Sequence, residues 1–322
     1  MTETLTIPAM ERKTNVLGTN LKGITTINEA MDVAGLDWGI QIEDADNLAV
    51  TTEDGVITTS IPGMRLVMRD DTNLTLGVVG GRYHPVDNRS VFAMGEHILD
   101  QGGLLAEGGT LDHGRKAFMR FDLPGTSVEV GGKDLIKFGV VIRANHDGSG
   151  TVTAGIEGQR LVCTNGMTVK MKGLDHQFTI RHTASAQDRL GEARRVLSGT
   201  MQYAKSFAAV AEEMLSRKFT QADFEKYIEA LYPRPEADEK RAVTLWDNRR
   251  SELLALYRFA ETNDLGRDTQ WGAFNSVVEY LDWTAPVRVS NRTTTDEVRA
   301  RRQFEGSNQA MKDRAFNTLV PA

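Results

Sequence analysis

Apolar residues change their period part-way along the chain. Before about residue 182 they come in short runs, often alternating with polar positions and separated by glycine or Asp/Asn turns. Alternation with period two marks half-buried strands. Strands are therefore predicted over Trp38–Ile42, Met64–Arg69, Leu74–Val79, Lys116–Phe121, Leu135–Ile142, Thr151–Ile156, Leu161–Cys163, Met167–Met171 and Phe178–His182. The Asp71-Thr72-Asn73 and Asn145–Gly150 clusters read as tight turns. Neighbouring strands joined this way form a mainly antiparallel sheet. Two short helices interrupt them. Thr26 and Glu29 have capping-box spacing before Ile27, with Gly35 as a stop. Asp87 or Asn88 can cap a second, with Val91, Phe92, Met94, His97, Ile98 and Leu99 on its apolar side.

Beyond Ser185, Leu190, Ala193, Leu197, Ala204, Phe207, Ala211 and Met214 recur at spacings of three, four or seven. This predicts a helix of about 27 residues. Thr220 and Asp223 begin another that ends near Tyr232, before Pro233 and Pro235. A third helix is expected over Ala237–Ala260 and a fourth after Asp268 or Thr269. The last carries Met311, Ala315, Phe316 and Leu319. Between them lies a polar, charged stretch that includes Arg299-Ala300-Arg301-Arg302. Trp271, Phe274, Tyr280 and Trp283 suit a core. The long helix has an alanine-rich seam that suits packing within the helical half or between subunits.

Glycine follows the same division. Of 30 glycines, 26 lie in residues 1–191. Glycine is costly inside helices and useful in turns and bulges. The fold class is therefore α+β: a glycine-rich, mainly antiparallel sheet half with a few short helices, then a helical C-terminal half. The expected divisions are an irregular arm at 1–25, a sheet domain at 26–184 and a helical region at 185–322. That last region packs on the sheet or serves self-association.

A chain of 322 residues is long enough for about two domains of ~150 residues. Mean hydropathy is −0.35, and no run approaches the ~18–20 apolar residues of a membrane span. No apolar signal segment is visible near Met1, so a cytoplasmic protein is expected. The single Cys163 excludes an intramolecular disulfide and a cysteine-based zinc cluster.

The net charge of −6 argues against coating nucleic acid through overall charge, but it is unevenly spread. Residues 1–114 carry 7 Lys/Arg against 17 Asp/Glu, residues 115–195 carry 13 against 8, and residues 196–322 carry 18 against 19. In the basic middle, alternation sends Ala117, Met119 and Phe121 inward and Lys116, Phe118 and Arg120 outward. It likewise sends Lys137 and Arg143 outward, then Lys170 and Lys172, with Arg160 and Arg181 continuing the pattern. Lys and Arg neutralise phosphates, and an exposed ring stacks on a base for ~1–3 kcal/mol, so this face suits single-stranded nucleic acid. The plainer alternative is a solvated sheet face that carries Lys and Arg anyway. A third use is docking an acidic surface of another subunit.

Other groupings are weaker. Arg82, Tyr83 and His84 in one turn and Asn145, His146 and Asp147 in another form a second candidate polar site. His84, Asp87, His146, Asp147 and His182 lack metal-site spacing, and no metal is expected. No P-loop or strand-linked GxGxxG occurs, and no cofactor is expected. Cys163 sits in an apolar run and suits a buried, inert thiol. Glu43, Asp44, Asp46, Glu53 and Asp54 read as solvated loop charge rather than a magnesium site.

An ordered set of phrases carries a family resemblance. They are Gly77–Asn88 (GVVGGRYHPVDN), Ala144–Gly150 (ANHDGSG), Arg160–Asn165 (RLVCTN), Ile180–Thr183 (IRHT) and Trp271–Tyr280 (WGAFNSVVEY). With them the chain resembles the phage/plasmid-like proteins of domain-of-unknown-function family 932, over about residues 65–315. The resemblance implies a mobile-element setting in a bacterial host and brings no catalytic residues. The expected function is thus a non-enzymatic nucleic-acid-binding protein of a phage or plasmid. Its most concrete form is single-strand DNA binding or annealing in recombination or replication, by a homo-oligomer without membrane contact. The alternative is a structural or host-interaction protein. A third class is an enzyme built on the His84/Asp87 and His146/Asp147 turns.

Overall fold

The computed structural model describes residues 17–45, 48–53, 55–150, 152–161, 166–171, 174, 176–179, 186–291 and 293–320. The first part of the chain holds β1 (Thr19–Asn20), α1 (Ile27–Val33), β2 (Ile40–Asp44), β3 (Leu48–Thr52), β4 (Gly55–Thr59), β5 (Met64–Arg69) and β6 (Thr75–Gly80). Next come α2 (Asn88–Phe92), α3 (Met94–Asp100), β7 (Leu104–Leu111), β8 (Lys116–Asp122), β9 (Val128–Val130), β10 (Asp134–Asn145), β11 (Thr153–Arg160) and β12 (Gln177–Thr179). The rest is helical: α4 (Ala186–Ser216), α5 (Gln221–Leu231), α6 (Lys240–Phe259), α7 (Gln270–Glu279) with a π turn over Tyr280–Thr284, α8 (Thr295–Glu305) and α9 (Gln309–Leu319).

The main sheet has the order β1-β7-β8-β10-β11-β12, with β9 also on β10, and every pairing is antiparallel. β2, β5 and β6 form a separate three-stranded sheet, and β3 and β4 a two-stranded hairpin. The expected α+β class and the strand-to-helix change hold. Local signals explain several ends. Thr26 accepts the Glu29 N–H ahead of α1, and Thr220 and Asp223 form a reciprocal capping box on α5.

One face of the main sheet carries the principal core. Met119 and Phe121 of β8, Ile136, Phe138, Val140 and Ile142 of β10, and Ala154 and Ile156 of β11 are buried there against the helices. Phe207 of α4 joins the layers, its ring centroid 5.4 Å from Phe138 and 6.1 Å from both Trp271 and Phe316. Burying a ring of this size contributes roughly 1.5–3 kcal/mol. A smaller cluster of Trp38, Val67, Leu76 and Val79 supports the three-stranded sheet.

Two sequence expectations change. Met167–Met171 is not a strand. Met167 and Val169 are buried, but side chains take the place of a ladder. The Tyr203 hydroxyl donates to the Val169 carbonyl (2.7 Å) and accepts its N–H (2.8 Å), and Asp313 accepts the Lys170 N–H (2.7 Å). Met167 N–H still donates to the Gly158 carbonyl of β11 (2.8 Å), but beyond it these side chains satisfy the backbone and no ladder continues. Conversely β7, not expected as a strand, runs for eight residues between β1 and β8. Its Gly108-Gly109 pair looks like a turn, yet a Cβ on Gly108 would sit 2.9 Å from Leu21. Glycine here permits close packing inside a strand. Of the predicted Leu161–Cys163 strand, Leu161 is an exposed turn residue; Val162 and Cys163, most of Phe178–His182, and Asp46 and Asp54 fall outside the described residues.

Among the described residues no helix is long and apolar enough to cross a membrane.

Candidate functional site

The face of the main sheet away from the core is the floor of a cleft of about 760 Å3. Alternation places Lys116 and Arg120 of β8, Lys137, Gly139 and Arg143 of β10, and Gly155, Glu157 and Gln159 of β11 along it. Trp283 in the π turn, Gln303 and Phe304 of α8, and Gln309 of α9 supply the other side.

A bulge completes the floor. The β7–β8 register shifts between Leu105 and Glu107, so that Leu105 lies opposite Phe121 and Glu107 lies opposite Arg120. Bulges re-aim side chains in this way, and this one turns Glu107 onto the cleft face. Four successive strands then contribute one charge each. Arg120 donates through Nη1 to Glu107 Oε2 and through Nε to Glu157 Oε2, both at 2.5 Å, and Arg143 Nη2 donates to Glu157 Oε1. Burial pushes the Glu157 carboxyl up, but Arg120 and Arg143 outweigh it and hold the group below the usual carboxylate range. Burial pulls the Arg120 guanidinium down, yet its two carboxylate partners leave it raised. Arg143 is lowered by burial and by neighbouring Arg120, against the pull of Glu157.

Above this network lies Phe304. Its ring centroid is 4.6 Å from the Arg143 guanidinium carbon and 5.7 Å from that of Arg120. Both fall within cation–π range. α8 is otherwise strongly polar, and Phe304 is its one buried residue. Lys116 Nζ bonds Glu305 at 2.8 Å, and Arg301 pairs with Asp112 and with Glu305.

The predicted positions thus fare differently. Lys116, Arg120, Lys137 and Arg143 share the cleft. Phe118, expected as an exposed stacking ring, is 0% exposed, because Phe304 covers it with centroids 4.7 Å apart. Arg160, expected on the same face, points the other way. β11 runs on to residue 160 without a break in alternation, so Arg160 shares the side of Ala154 and Ile156. There it forms a buried ion pair with Asp134 at 2.6 Å and donates to the Thr262 carbonyl at 2.7 Å. Lys170 is exposed, but it lies on the irregular segment after β11 and does not line the cleft. Lys172 and Arg181 lie outside the described residues, as do Cys163 and His182.

The two polar turns meet only in part. Arg82 and Tyr83 line a shallow depression with Asp147 and Gly148. Burial raises the Tyr83 hydroxyl pKa, and the Asp147 carboxylate adds to it. His84 is exposed, and Asn145 lines the main cleft instead. His146 turns inward, where its Nε2 meets Asn88 Oδ1 at 2.8 Å and its ring lies edge-on to Trp38 at 5.3 Å. Burial pulls its pKa down to about 4, against the nearby Asp147 and Asp87 carboxylates. Among the described residues no group of three or more His, Cys, Asp or Glu side chains is placed to hold a metal ion.

Residues 75–304 match the family described as Domain of unknown function (DUF932). The chain belongs to this family. The match runs from β6 to Phe304, so all four charges of the network and the ring above them lie inside the DUF932 region. No curated protein and no solved structure matches the chain.

Several residues of this DUF932 cleft were not foreseen: Glu107, Glu157, Trp283, Gln303 and Phe304. A signal for α8 was present. Thr294 and Glu297 form a reciprocal capping box, and Gly306 ends the helix with φ 70°. The β7 bulge has no comparable sequence mark.

Proposed function

We propose that this DUF932 protein binds single-stranded nucleic acid, DNA in preference to RNA, in the cleft between the main sheet and α8. In this reading it serves a phage or plasmid in the host cytoplasm, in recombination or replication, and acts by binding rather than catalysis. The observation that carries the reading is the composition of the cleft. Six Lys/Arg side chains line it against four Asp/Glu, in a chain whose net charge is −6. Exposed Lys22 and Lys137 stand at the rim for phosphates, while Arg120 and Arg143 lie on the floor. The half-buried Trp283 offers an aromatic surface in the wall, the role expected of Phe118. A volume of about 760 Å3 falls among small-molecule-sized clefts, so the deep part suits one nucleotide while the strand runs over the rim.

Fluorescence anisotropy with labelled single-stranded DNA, titrated against salt, tests this. Affinity is expected to fall steeply with salt. The slope is expected to drop by about 0.7 for each phosphate that Lys22→Glu or Lys137→Glu leaves without its cation. These exposed positions test the cleft without disturbing its buried charges. Binding that ignores salt and both substitutions would reject the reading.

A second reading, assembly through protein contacts, has its own observation. The β3–β4 hairpin forms a sheet of its own and leaves Val56 67% and Ile57 53% exposed. Self-association as a homo-oligomer belongs to this reading and is compatible with the first.

A further inference from the structure

At one place the chain itself covers the outer face of the main sheet. Phe304 and Glu305 are the last two residues of α8. The Phe304 ring lies 4.7 Å from that of Phe118, at an interplanar angle of 52°, and 4.6 Å from the Arg143 guanidinium carbon. The Glu305 carboxylate accepts from Lys116 Nζ at 2.8 Å. Two adjacent residues thus set a flat ring and an anion on Phe118, Arg143 and Lys116. A nucleotide offers the same pair of groups, a base that stacks on a ring and a phosphate that pairs with Lys or Arg.

The hold on this end of α8 is light. Phe304 is the one buried residue of the helix. The Lys116–Glu305 and Arg301–Asp112 ion pairs are partly exposed. The Arg302 guanidinium reaches the Pro286 carbonyl only at 3.4 Å, and the helix packs along the π turn. The contact is also imperfectly matched. Arg143 Nε and Gln303 Nε2 are buried without a hydrogen-bond partner among the described residues, and water satisfies such groups once they are uncovered. Gly306 follows with φ 70°, and α9 beyond it is anchored in the principal core through Phe316 and Leu319. The last turn of α8 therefore opens without disturbing α9.

We propose that Phe304 and Glu305 stand in for a nucleotide, and that single-stranded nucleic acid displaces them to reach Lys116, Phe118 and Arg143. The proposal rests on the single-strand reading above and adds an autoinhibited state to it. Opening of α8 is then part of the cost of binding, and the apparent affinity is the intrinsic one scaled by the open fraction.

Fluorescence anisotropy with an all-dT oligonucleotide tests this on wild type and Phe304→Ala. The substitution leaves charge unchanged and is expected to tighten binding by about five-fold or more, because it raises the open fraction. Adding Phe118→Ala is expected to remove most of that gain, since the uncovered ring is what a base stacks on. Amide exchange on the wild type needs no variant. With the oligonucleotide bound, residues 301–305 are expected to exchange about ten-fold faster or more, while β10 stays protected. Weaker or unchanged binding by Phe304→Ala would overturn the proposal and leave strand binding in the cleft standing. So would α8 exchange that slows or stays the same on binding, or a gain that survives Phe118→Ala. Binding by Phe304→Ala alone would support both readings. Absence of binding by wild type and Phe304→Ala alike would overturn the two together.

Discussion

Phe304 lies on Phe118 with ring centroids 4.7 Å apart, and this contact joins a polar helix to the outer face of the sheet. Leu111 and Val141 complete the cluster. α8 has no other buried residue, and its ion pairs to the sheet side are partly exposed, contributing about 0–1 kcal/mol each.

Phe304→Ala is therefore expected to loosen α8 selectively. Amide exchange over residues 295–305 should rise by about ten-fold or more, while β8 and β10 stay protected. Unchanged protection of α8 would mean that other contacts hold it.

Arg160 and Asp134 form an ion pair in which each side chain is 1% exposed, and Trp271 Nε1 donates to the same carboxylate at 3.0 Å. Removing one partner leaves a buried charge. Asp134→Ala should lower unfolding stability by about 3–5 kcal/mol in urea titrations. The double change Asp134→Leu, Arg160→Met should cost clearly less, because no charge is stranded. Equal losses would show that the pair acts through packing alone.

His146 gives a pH dependence with a defined sign. Its folded pKa is about 4, below the usual 6.5, because burial disfavours the charged ring. The unfolded chain therefore binds the extra proton first as pH falls. This contribution is complete above about pH 6.5, declines through pH 6.5 to 4, and amounts to about 3 kcal/mol in all. In an NMR titration the His146 ring should stay neutral at pH 5.5, where an exposed histidine is mostly protonated. A midpoint near 6.5 would contradict the buried Asn88 contact.

The β3–β4 hairpin separates folding from assembly. Val56→Asp and Ile57→Asp should change stability by no more than about 0.5 kcal/mol, since both side chains are exposed. If the hairpin is an assembly surface, sedimentation velocity should show a smaller species for both variants. An unchanged distribution would remove the hairpin from the second reading.

Much of the site's floor was legible in the sequence, and much of its chemistry was not. Alternation correctly assigned Lys116, Phe118, Arg120, Lys137 and Arg143 to one side of their strands, because side-chain direction in a strand is a local property of the backbone. It failed at Arg160, where the place at which β11 ends sets the parity. It also could not say what covers a face. Phe118 shares its side with four cations, yet α8, far along the chain, buries it.

The sequence by itself determined the α+β class, the change from strands to helices and the basic stripe, because period, capping and charge are written residue by residue. Tertiary structure decided whether that stripe is free. The β7 bulge brings Glu107 opposite Arg120, β11 adds Glu157, and α8 brings Phe304 and Glu305. These partners lie on separate segments, and only folding sets carboxylate against guanidinium and ring against ring. A row of cations thereby becomes a cleft with a paired floor and a basic rim.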